Sequence, residues 1–154
     1  MLFRSLQDDD IGNTGPTTLE KAAAEDGAPD AKDRLVKAGY QGGYRRLWAT
    51  NDFSASLFAI IDRFNSAAGA AEYCARSAES FRSKATSPTS FSVPGLAGAV
   101  GLRGVERDGS GTAVFLTKGE WCAEVLLTGT NDADERVQVA SVSSLAKVQY
   151  RTLP

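Results

Sequence analysis

The two cysteines, Cys74 and Cys122, have the most specific chemistry of any side chains in this sequence. Cys74 lies on the apolar side of a predicted helix and Cys122 on a predicted core strand, so a disulfide between them would join a helix to a sheet. In the chain-entropy model, closing a loop of about 48 residues contributes about 4 kcal/mol. The alternative is two buried free thiols, which pack as small apolar residues. Two thiols without histidine fall short of the four ligands of zinc, so we expect no metal site.

Histidine is absent from all 154 residues, which removes the most common general base at neutral pH. The serines therefore have no imidazole to activate them, and no serine–lysine spacing forms a recognised motif. Acid–base chemistry would fall to carboxylates such as Glu106, Glu120 or Glu124. Glu124 shares a predicted strand face with Cys122, where burial would raise its pKa; a position at a sheet edge is the alternative. We predict that the chain is not an enzyme and carries no cofactor.

The composition is that of an ordinary globular domain, with 42% hydrophobic and 23% charged residues. Seventeen basic and nineteen acidic residues are scattered through the chain, without the basic patch that nucleic-acid binding requires. No run reaches the roughly 18 apolar residues of a membrane span. The sequence predicts a flexible N-terminal arm over residues 1–17 and a single domain over residues 18–154.

The hydrophobic pattern predicts an α+β fold. Two helices are expected first, and then two strands pair over Tyr40–Trp48 and Ser56–Phe64. A helix follows Asn65-Ser66, and residues Thr86–Ser90 are predicted to be a polar loop. Three more strands are predicted over Val100–Arg107, Ala113–Thr117 and Trp121–Thr128. A terminal helix is predicted to bury Val137, Ala140, Ser144, Leu145 and Val148. The expected architecture is an antiparallel sheet of about five strands, two and then three along the chain, packed with helices.

The strand over Tyr40–Trp48 carries the first candidate binding surface. Strict alternation would place on one side of it the residues Tyr40, Tyr44, Arg46 and Trp48. Tyrosine, tryptophan and arginine are the residues from which interface hot spots are built. The alternative is that these rings are partly buried core residues beside a helix.

A second candidate is the glycine-rich segment over residues 94–104. Pro94, Gly95 and Gly98 lie at its start, and further glycines follow at positions 101 and 104. The segment lacks the Gly-Lys-Ser/Thr ending of a phosphate-binding loop and does not lead from a strand into a helix. We therefore expect a flexible loop that borders a groove.

Four short motifs are shared with a known group of proteins. They are Leu35-x-x-Ala38-Gly39-Tyr40-x-Gly42-Gly43-Tyr44-Arg45-Arg46-x-Trp48, Arg63-Phe64-x-Ser66-Ala67-x-Gly69-Ala70-x-x-Tyr73, Val93-Pro94-Gly95-x-x-Gly98-Ala99 and Phe115-x-x-Lys118-Gly119-x-x-Cys122-x-x-Val125. Over about residues 17–150, the chain resembles a domain of actinobacterial secreted proteins and lipoproteins, mainly of unknown function. The resemblance implies a PsbP-like α+β sandwich without catalytic machinery, in an exported protein that is often tethered by a lipid on an N-terminal cysteine. This chain departs from that pattern, since no such cysteine precedes Asp8.

These observations favour a non-catalytic binding or assembly module of the cell envelope. It would dock to a protein or a membrane complex, peripherally or through a lipid anchor. The alternative is a carrier of a small molecule or lipid, or an enzyme without histidine, with a pocket between sheet and helix lined by groups such as Arg46, Arg63 or Glu124. The first ten residues lack the apolar core of a signal peptide. We expect an extracytoplasmic protein whose targeting segment is absent from this chain; a cytoplasmic protein is the alternative.

Overall fold

The computed structural model describes residues 4–6, 14–106, 109–129 and 135–154. In chain order, its elements are β1 (Arg4–Leu6), β2 (Gly15–Thr17), α1 (Leu19–Asp26), α2 (Ala31–Ala38), β3 (Tyr40–Ala49), β4 (Ala55–Phe64), α3 (Ala67–Lys84), β5 (Thr86–Phe91), β6 (Val100–Glu106), β7 (Gly109–Lys118), β8 (Trp121–Gly129) and α4 (Glu135–Thr152).

The helix boundaries follow local capping signals. The Thr18 hydroxyl accepts a hydrogen bond from the backbone N–H of Lys21 at the start of α1, and the Ser66 hydroxyl does the same for Gly69 in α3. Gly39 ends α2 in the left-handed region, with φ of 81°, which glycine adopts without strain. The helix predicted to follow Asn65-Ser66 is therefore confirmed, with Ser66 as its cap.

The strands form one antiparallel sheet in the order β1-β3-β4-β8-β7-β6-β5, and β2 pairs with the edge of β3 that β1 also uses. The predicted pairing of β3 with β4 is confirmed, with Trp48 opposite Leu57 and Tyr44 opposite Ile61. The α+β class is confirmed as well. Within the described ranges there are eight strands, more than the five or so that the sequence predicts.

The additional strands come from segments that lack an apolar pattern. Residues 4–6 and 15–17 lie in the predicted arm and pair with β3, while residues 1–3 and 7–13 lie outside the described residues. The polar loop predicted over Thr86–Ser90 is wrong, because these residues belong to β5. This edge strand pairs with β6 alone and leaves its side chains exposed, so its sequence does not alternate and it tolerates Pro88.

Helices cover the sheet unequally. α1, α2 and α3 lie on one side, here called the three-helix side, where a core forms around Phe64, Phe81 and Phe115. α4 lies over β7 and β8 on the opposite side, here called the α4 side, where the core includes Val114, Val125 and other aliphatic residues. The described part of the chain is thus a central sheet between three helices and one.

The rotation of α4 differs from the prediction. Val137, Ala140, Ser144, Leu145 and Val148 are exposed, and the buried residues are Gln138, Val142, Ser143 and Ala146. Gln138 accepts a hydrogen bond from the Thr112 hydroxyl at 3.0 Å and donates one to the Ser110 hydroxyl at 3.2 Å. A buried glutamine is stable when both ends of its amide are hydrogen-bonded. These bonds therefore stabilise α4 in an orientation that apolar spacing does not predict.

Cys74 and Cys122 form the disulfide that their positions predict, with their Cα atoms 5.6 Å apart. The bond joins the middle of α3 to the start of β8 and is buried in the core of the three-helix side. It fixes α3, which is one wall of the site described next.

Candidate functional site: a groove on the three-helix side

A groove of about 890 Å³ opens between the end of α1 and the outer half of α3, above the sheet. Its walls are formed by residues 25–28 and Arg34 on one side and by the face of α3 from Tyr73 to Lys84 on the other. Its floor consists of Arg45, Ile60, Ala113, Phe115, Glu124 and Leu126. A site of this size, with apolar surface and a few polar groups, is typical of small-molecule binding.

Glu124 is the carboxyl group of this floor. It lies on β8 directly opposite Ile60 of β4 and Phe115 of β7, so its cross-strand neighbours are apolar. Burial raises the pKa of Glu124 to about 7, and a hydrogen bond from Ser77 of α3 opposes that increase. At neutral pH this carboxyl is therefore protonated in part of the molecules, whereas an ordinary glutamate is fully ionised.

A buried ion network lies beside Glu124 on the floor. The guanidinium of Arg45 donates to both oxygens of Asp62, at 2.9 and 3.1 Å, and its Nε donates to Glu25 at 2.8 Å. Gly43 lies opposite Asp62 on the neighbouring strand, and a Cβ there would collide with the Asp62 carboxylate. Burial raises the pKa of Asp62, and the charge of Arg45 opposes this; the two carboxylates hold Arg45 in its charged form.

The groove walls add further paired charges. Arg34 bonds to Asp26 at 2.9 Å and to Asp30 at 3.2 Å, and Arg76 bonds to Glu72 at 3.2 Å. Most cations around the groove are thus already engaged with carboxylates of the same chain.

Tyr73 closes the inner end of the groove. Its ring lies 5.1 Å from that of Phe64, and burial raises the pKa of its hydroxyl, which stays protonated at all physiological pH values. The phenol is therefore available to the groove as a hydrogen-bonding group.

Three residues of the first predicted surface lie together on the opposite side of the sheet. Tyr44, Arg46 and Trp48 alternate along β3 on the α4 side, with the Arg46 guanidinium 5.2 Å from the centre of the Trp48 ring. Tyr44 is 42% exposed. Tyr40 does not share this face, because a bulge between Tyr40 and Gly42 shifts the register.

Tyr40 instead packs in the core of the three-helix side. Its ring meets Phe64 edge-on at 5.7 Å, and its hydroxyl donates to the carbonyl of Thr17 at 3.1 Å. The expectation that it shares a face with Tyr44 is therefore wrong.

Arg63 and Trp121 extend the surface formed by Tyr44, Arg46 and Trp48. They are opposite one another on β4 and β8, and the Arg63 guanidinium lies 5.7 Å from the Trp121 ring centre. We call these five residues the open face. Two of them, Arg46 and Arg63, are thus outside the groove that the sequence assigned to them, whereas Glu124 is inside it.

The glycine-rich loop lies away from Tyr44, Arg46 and Trp48, since β4, β8 and β7 separate β3 from β6. Val93 and Leu96 anchor the loop in the core of the α4 side, while Pro94, Gly95 and Gly98 are exposed. Gly95 and Gly98 have φ of 83° and 82°, which favour glycine. The two predicted binding surfaces are therefore not brought together, and the loop does not line the groove.

Sequence reasoning missed the Arg45–Asp62–Glu25 network. A usable signal existed, because Arg45 alternates with Leu47, and Asp62 with Phe64, on the inward faces of their strands. Charged residues at such positions are rare unless they are paired. However, Arg45, Asp62 and Glu25 are far apart in sequence, so their spacing does not show that they pair.

Metal binding and membrane crossing receive no support from the described ranges. No three metal-ligating side chains come together there. None of the helices found there has both the length and the apolar character that spanning a bilayer requires.

No family model matches this chain, and neither does any curated protein. Among solved structures, the chain is similar to the crystal structure of the extracellular domain of PknH from Mycobacterium tuberculosis, with a TM-score of 0.53 and 11% sequence identity. The match covers 97% of this chain and 84% of that one. At this level of identity the similarity shows a shared fold.

Proposed function

We propose that this chain is a non-catalytic binding domain that acts outside the cytoplasm and holds a small amphipathic molecule in the groove between α1, α3 and the sheet. The observation that carries the proposal is the groove itself, a preformed space of about 890 Å³ whose floor combines four apolar residues with Arg45 and the carboxyl group of Glu124. Binding sites of small molecules combine these features.

Two further observations support a binding role outside the cytoplasm. The chain has no histidine, and the buried cation of the groove floor, Arg45, is held by two carboxylates. The Cys74–Cys122 disulfide is of the kind that persists in oxidising compartments, and the similar fold of PknH is an extracellular domain. The resemblance to actinobacterial secreted proteins points in the same direction.

The groove can be tested by filling it. Ser80 lines the groove on α3 and is half-buried, so Ser80→Trp would occupy the space without entering the core. Ala75→Trp is the matched control, because Ala75 is exposed on the same helix and does not line the groove. The probe is 2-phenylethanol, followed by ¹H–¹⁵N NMR titration.

In the natural chain and in Ala75→Trp, we expect the amide signals of Ile60, Phe115 and Leu126 to shift until they saturate. In Ser80→Trp, we expect these shifts to be lost. The proposal is refuted if the shifts do not saturate, or if both tryptophan variants bind the probe as the natural chain does.

The open face favours a second function, peripheral docking to an anionic lipid surface. Tyrosine, tryptophan and arginine side chains combine an apolar body with a polar end, which suits the membrane–water interface. On the same side of the sheet, α4 exposes an outer stripe of Val137, Leu145 and Val148, which are 61%, 38% and 56% exposed. A helix that presents such a stripe with basic flanks is typical of interfacial binding.

Charge on this side supports an anionic partner. The open face contains Arg46 and Arg63, and Lys118 lies near it. The acidic residue beside them, Glu120, bonds to Arg63. α4 carries Arg136, Lys147 and Arg151, and its acidic residue in the described range, Glu135, bonds to Arg103. A second copy of the chain would bring like charges together, whereas anionic lipids attract them.

Co-sedimentation with phosphatidylglycerol vesicles, compared with phosphatidylcholine vesicles, tests this second function. Val148→Asp is expected to reduce binding to phosphatidylglycerol several-fold. Val36→Asp is the matched control, because Val36 is 59% exposed on α2 of the three-helix side. Equal binding by both variants, or no preference for the anionic lipid, would rule out this docking surface.

A further inference from the structure

We infer that the groove selects molecules that carry a protonated amine beside an apolar body, with the Glu124 carboxylate as the group that binds the amine. The inference rests on the proposed function, since it names the ligand class of the same groove. It goes beyond that function because an amphipathic ligand can be neutral, anionic or cationic.

The position of Glu124 provides the acceptor. Its neighbours across the sheet are Ile60 and Phe115, and Leu126 follows two residues later on the same strand face. A carboxylate has about four acceptor positions and no donor, and the nearby Ser77 hydroxyl can fill one of them. An ammonium group carries three donors, so it can fill the remaining positions while the apolar body of the ligand covers the floor.

The surrounding charges favour a cation. Glu124 of β8 faces Arg45 of β3, Asp62 of β4 and Glu25 of α1, so one guanidinium accompanies three carboxylates. All three nitrogen atoms of Arg45 already donate to Asp62 or Glu25. The charge of this guanidinium is thus shared between Asp62 and Glu25, and an incoming ammonium would supply a positive charge for Glu124.

The remaining groups at the groove belong to α3 and to the α1–α2 side. Tyr73 of α3 is neutral, Arg76 bonds to Glu72, and Glu79 bonds to Arg82 at 2.6 Å. Arg34 is engaged by Asp26 and Asp30, and Lys84 is exposed at the rim. The rim is therefore close to neutral, and the excess negative charge lies at the floor.

Proton exchange follows from this arrangement. Burial raises the pKa of Glu124 to about 7, and a bound ammonium would lower that pKa because it favours the charged carboxylate. Amine binding should therefore weaken as the pH falls below about 7 and should release protons near that pH. Binding of a neutral ligand should show neither effect.

Matched probes test the inference. 2-Phenylethylamine and 2-phenylethanol differ in one polar group, and both are titrated at pH 8 and at pH 5.5, where the amine is protonated throughout. We expect the natural chain to bind the amine about tenfold more tightly than the alcohol at pH 8 and to lose most of this preference at pH 5.5. Calorimetry in two buffers of different ionisation enthalpy should show proton release near pH 7 for the amine alone.

The variant Glu124→Gln should bind the amine no more tightly than it binds the alcohol, since glutamine has the same size and removes a charge from a buried site. Glu79→Gln is the control, because Glu79 lines the same groove but is paired with Arg82. Equal affinity for both probes in the natural chain overturns the inference and leaves the groove as a binding site. Tighter binding of 3-phenylpropionate than of the amine also overturns it. Failure of all the probes to bind in the groove overturns the proposed function itself.

Discussion

On the three-helix side of the sheet, Arg45 is buried and divides its nitrogens between Asp62 and Glu25, whereas on the α4 side Arg46 and Arg63 lie at the surface over tryptophan rings. Arg45 and Arg46 are adjacent in sequence, and only the alternation of the strand separates them. Three helices cover the first side, so its charges must be paired, while one helix leaves part of the second side open to solvent. Adjacent arginines thus have different environments because the sheet is covered unequally.

The largest expected effect comes from the bond that joins α3 to the sheet. Replacing Cys74 and Cys122 with alanine is predicted to lower the free energy of unfolding by about 4 kcal/mol, because a loop of about 48 residues is no longer closed in the unfolded chain. Urea denaturation measures the change. In hydrogen exchange, α3 should lose protection before α4 does. Equal loss in both helices would show that the disulfide does not stabilise one side in particular.

The same bond can be checked chemically. Intact mass after treatment with an alkylating reagent in urea should show no added groups until a reductant is supplied, because both sulfurs are in the disulfide. Alkylation of two thiols without reductant would contradict this.

The next largest effect compares two arginine pairs. Asp62→Asn should cost about 3 kcal/mol, because it leaves a buried guanidinium short of a negative charge. Glu120→Gln, which removes the partner of Arg63 at 3.4 Å on the surface, should cost at most about 0.5 kcal/mol. Equal losses in the two variants would show that the sides do not differ in how they hold charge.

The rotation of α4 gives a third comparison. Val142 is fully buried and Val148 is 56% exposed, so Val142→Ala should lower the free energy of unfolding by about 2 kcal/mol and Val148→Ala by less than about 0.5 kcal/mol. Thermal unfolding of both variants measures the difference. A larger loss in Val148→Ala would place the helix in the orientation that apolar spacing predicts.

The smallest predicted effect concerns the pH dependence that Glu124 confers. Its pKa is about 7 when folded and about 4.5 when unfolded, so the folded chain holds the extra proton between these values. Stability should therefore fall as the pH rises from about 4.5 to 7. Because the Glu124 side chain is half-buried, solvent screens part of this effect, and Glu124→Gln should be more stable than the natural chain by about 1–2 kcal/mol at pH 8 and nearly equal to it at pH 4.5. The same stability difference at both pH values would rule out this titration.

Sequence patterns predicted the elements in which apolar residues recur at a regular spacing along one side. β3 and β4 could be paired because their apolar and aromatic residues repeat at strand spacing, and α3 because Ser66 begins it and small apolar residues follow. Tyr40 could not be placed, since the bulge that displaces it is produced by pairing with β4. The short edge strands escaped prediction because one-sided pairing imposes no apolar pattern on them.

The candidate site was predicted only in part. Glu124 could be singled out from its strand position beside Cys122, and the disulfide from the inward positions of both cysteines. The orientation of α4 depends on hydrogen bonds between Gln138 and residues 26 and 28 positions earlier, and the groove depends on the distance between α1 and α3. Such long-range contacts leave no periodic signal in the sequence.

The disulfide also determines how the domain would respond to mechanical force. Cys74 and Cys122 enclose β5, β6, β7 and the second half of α3, so a pull on the two ends of the chain passes through the bond and bypasses these residues. After unfolding, the enclosed segment would add no length, and the extended chain would be roughly 170 Å shorter than its reduced form. The residues 74–122, which include Ala113 and Phe115 of the groove floor and most of its α3 wall, would bear no tension while the bond is intact.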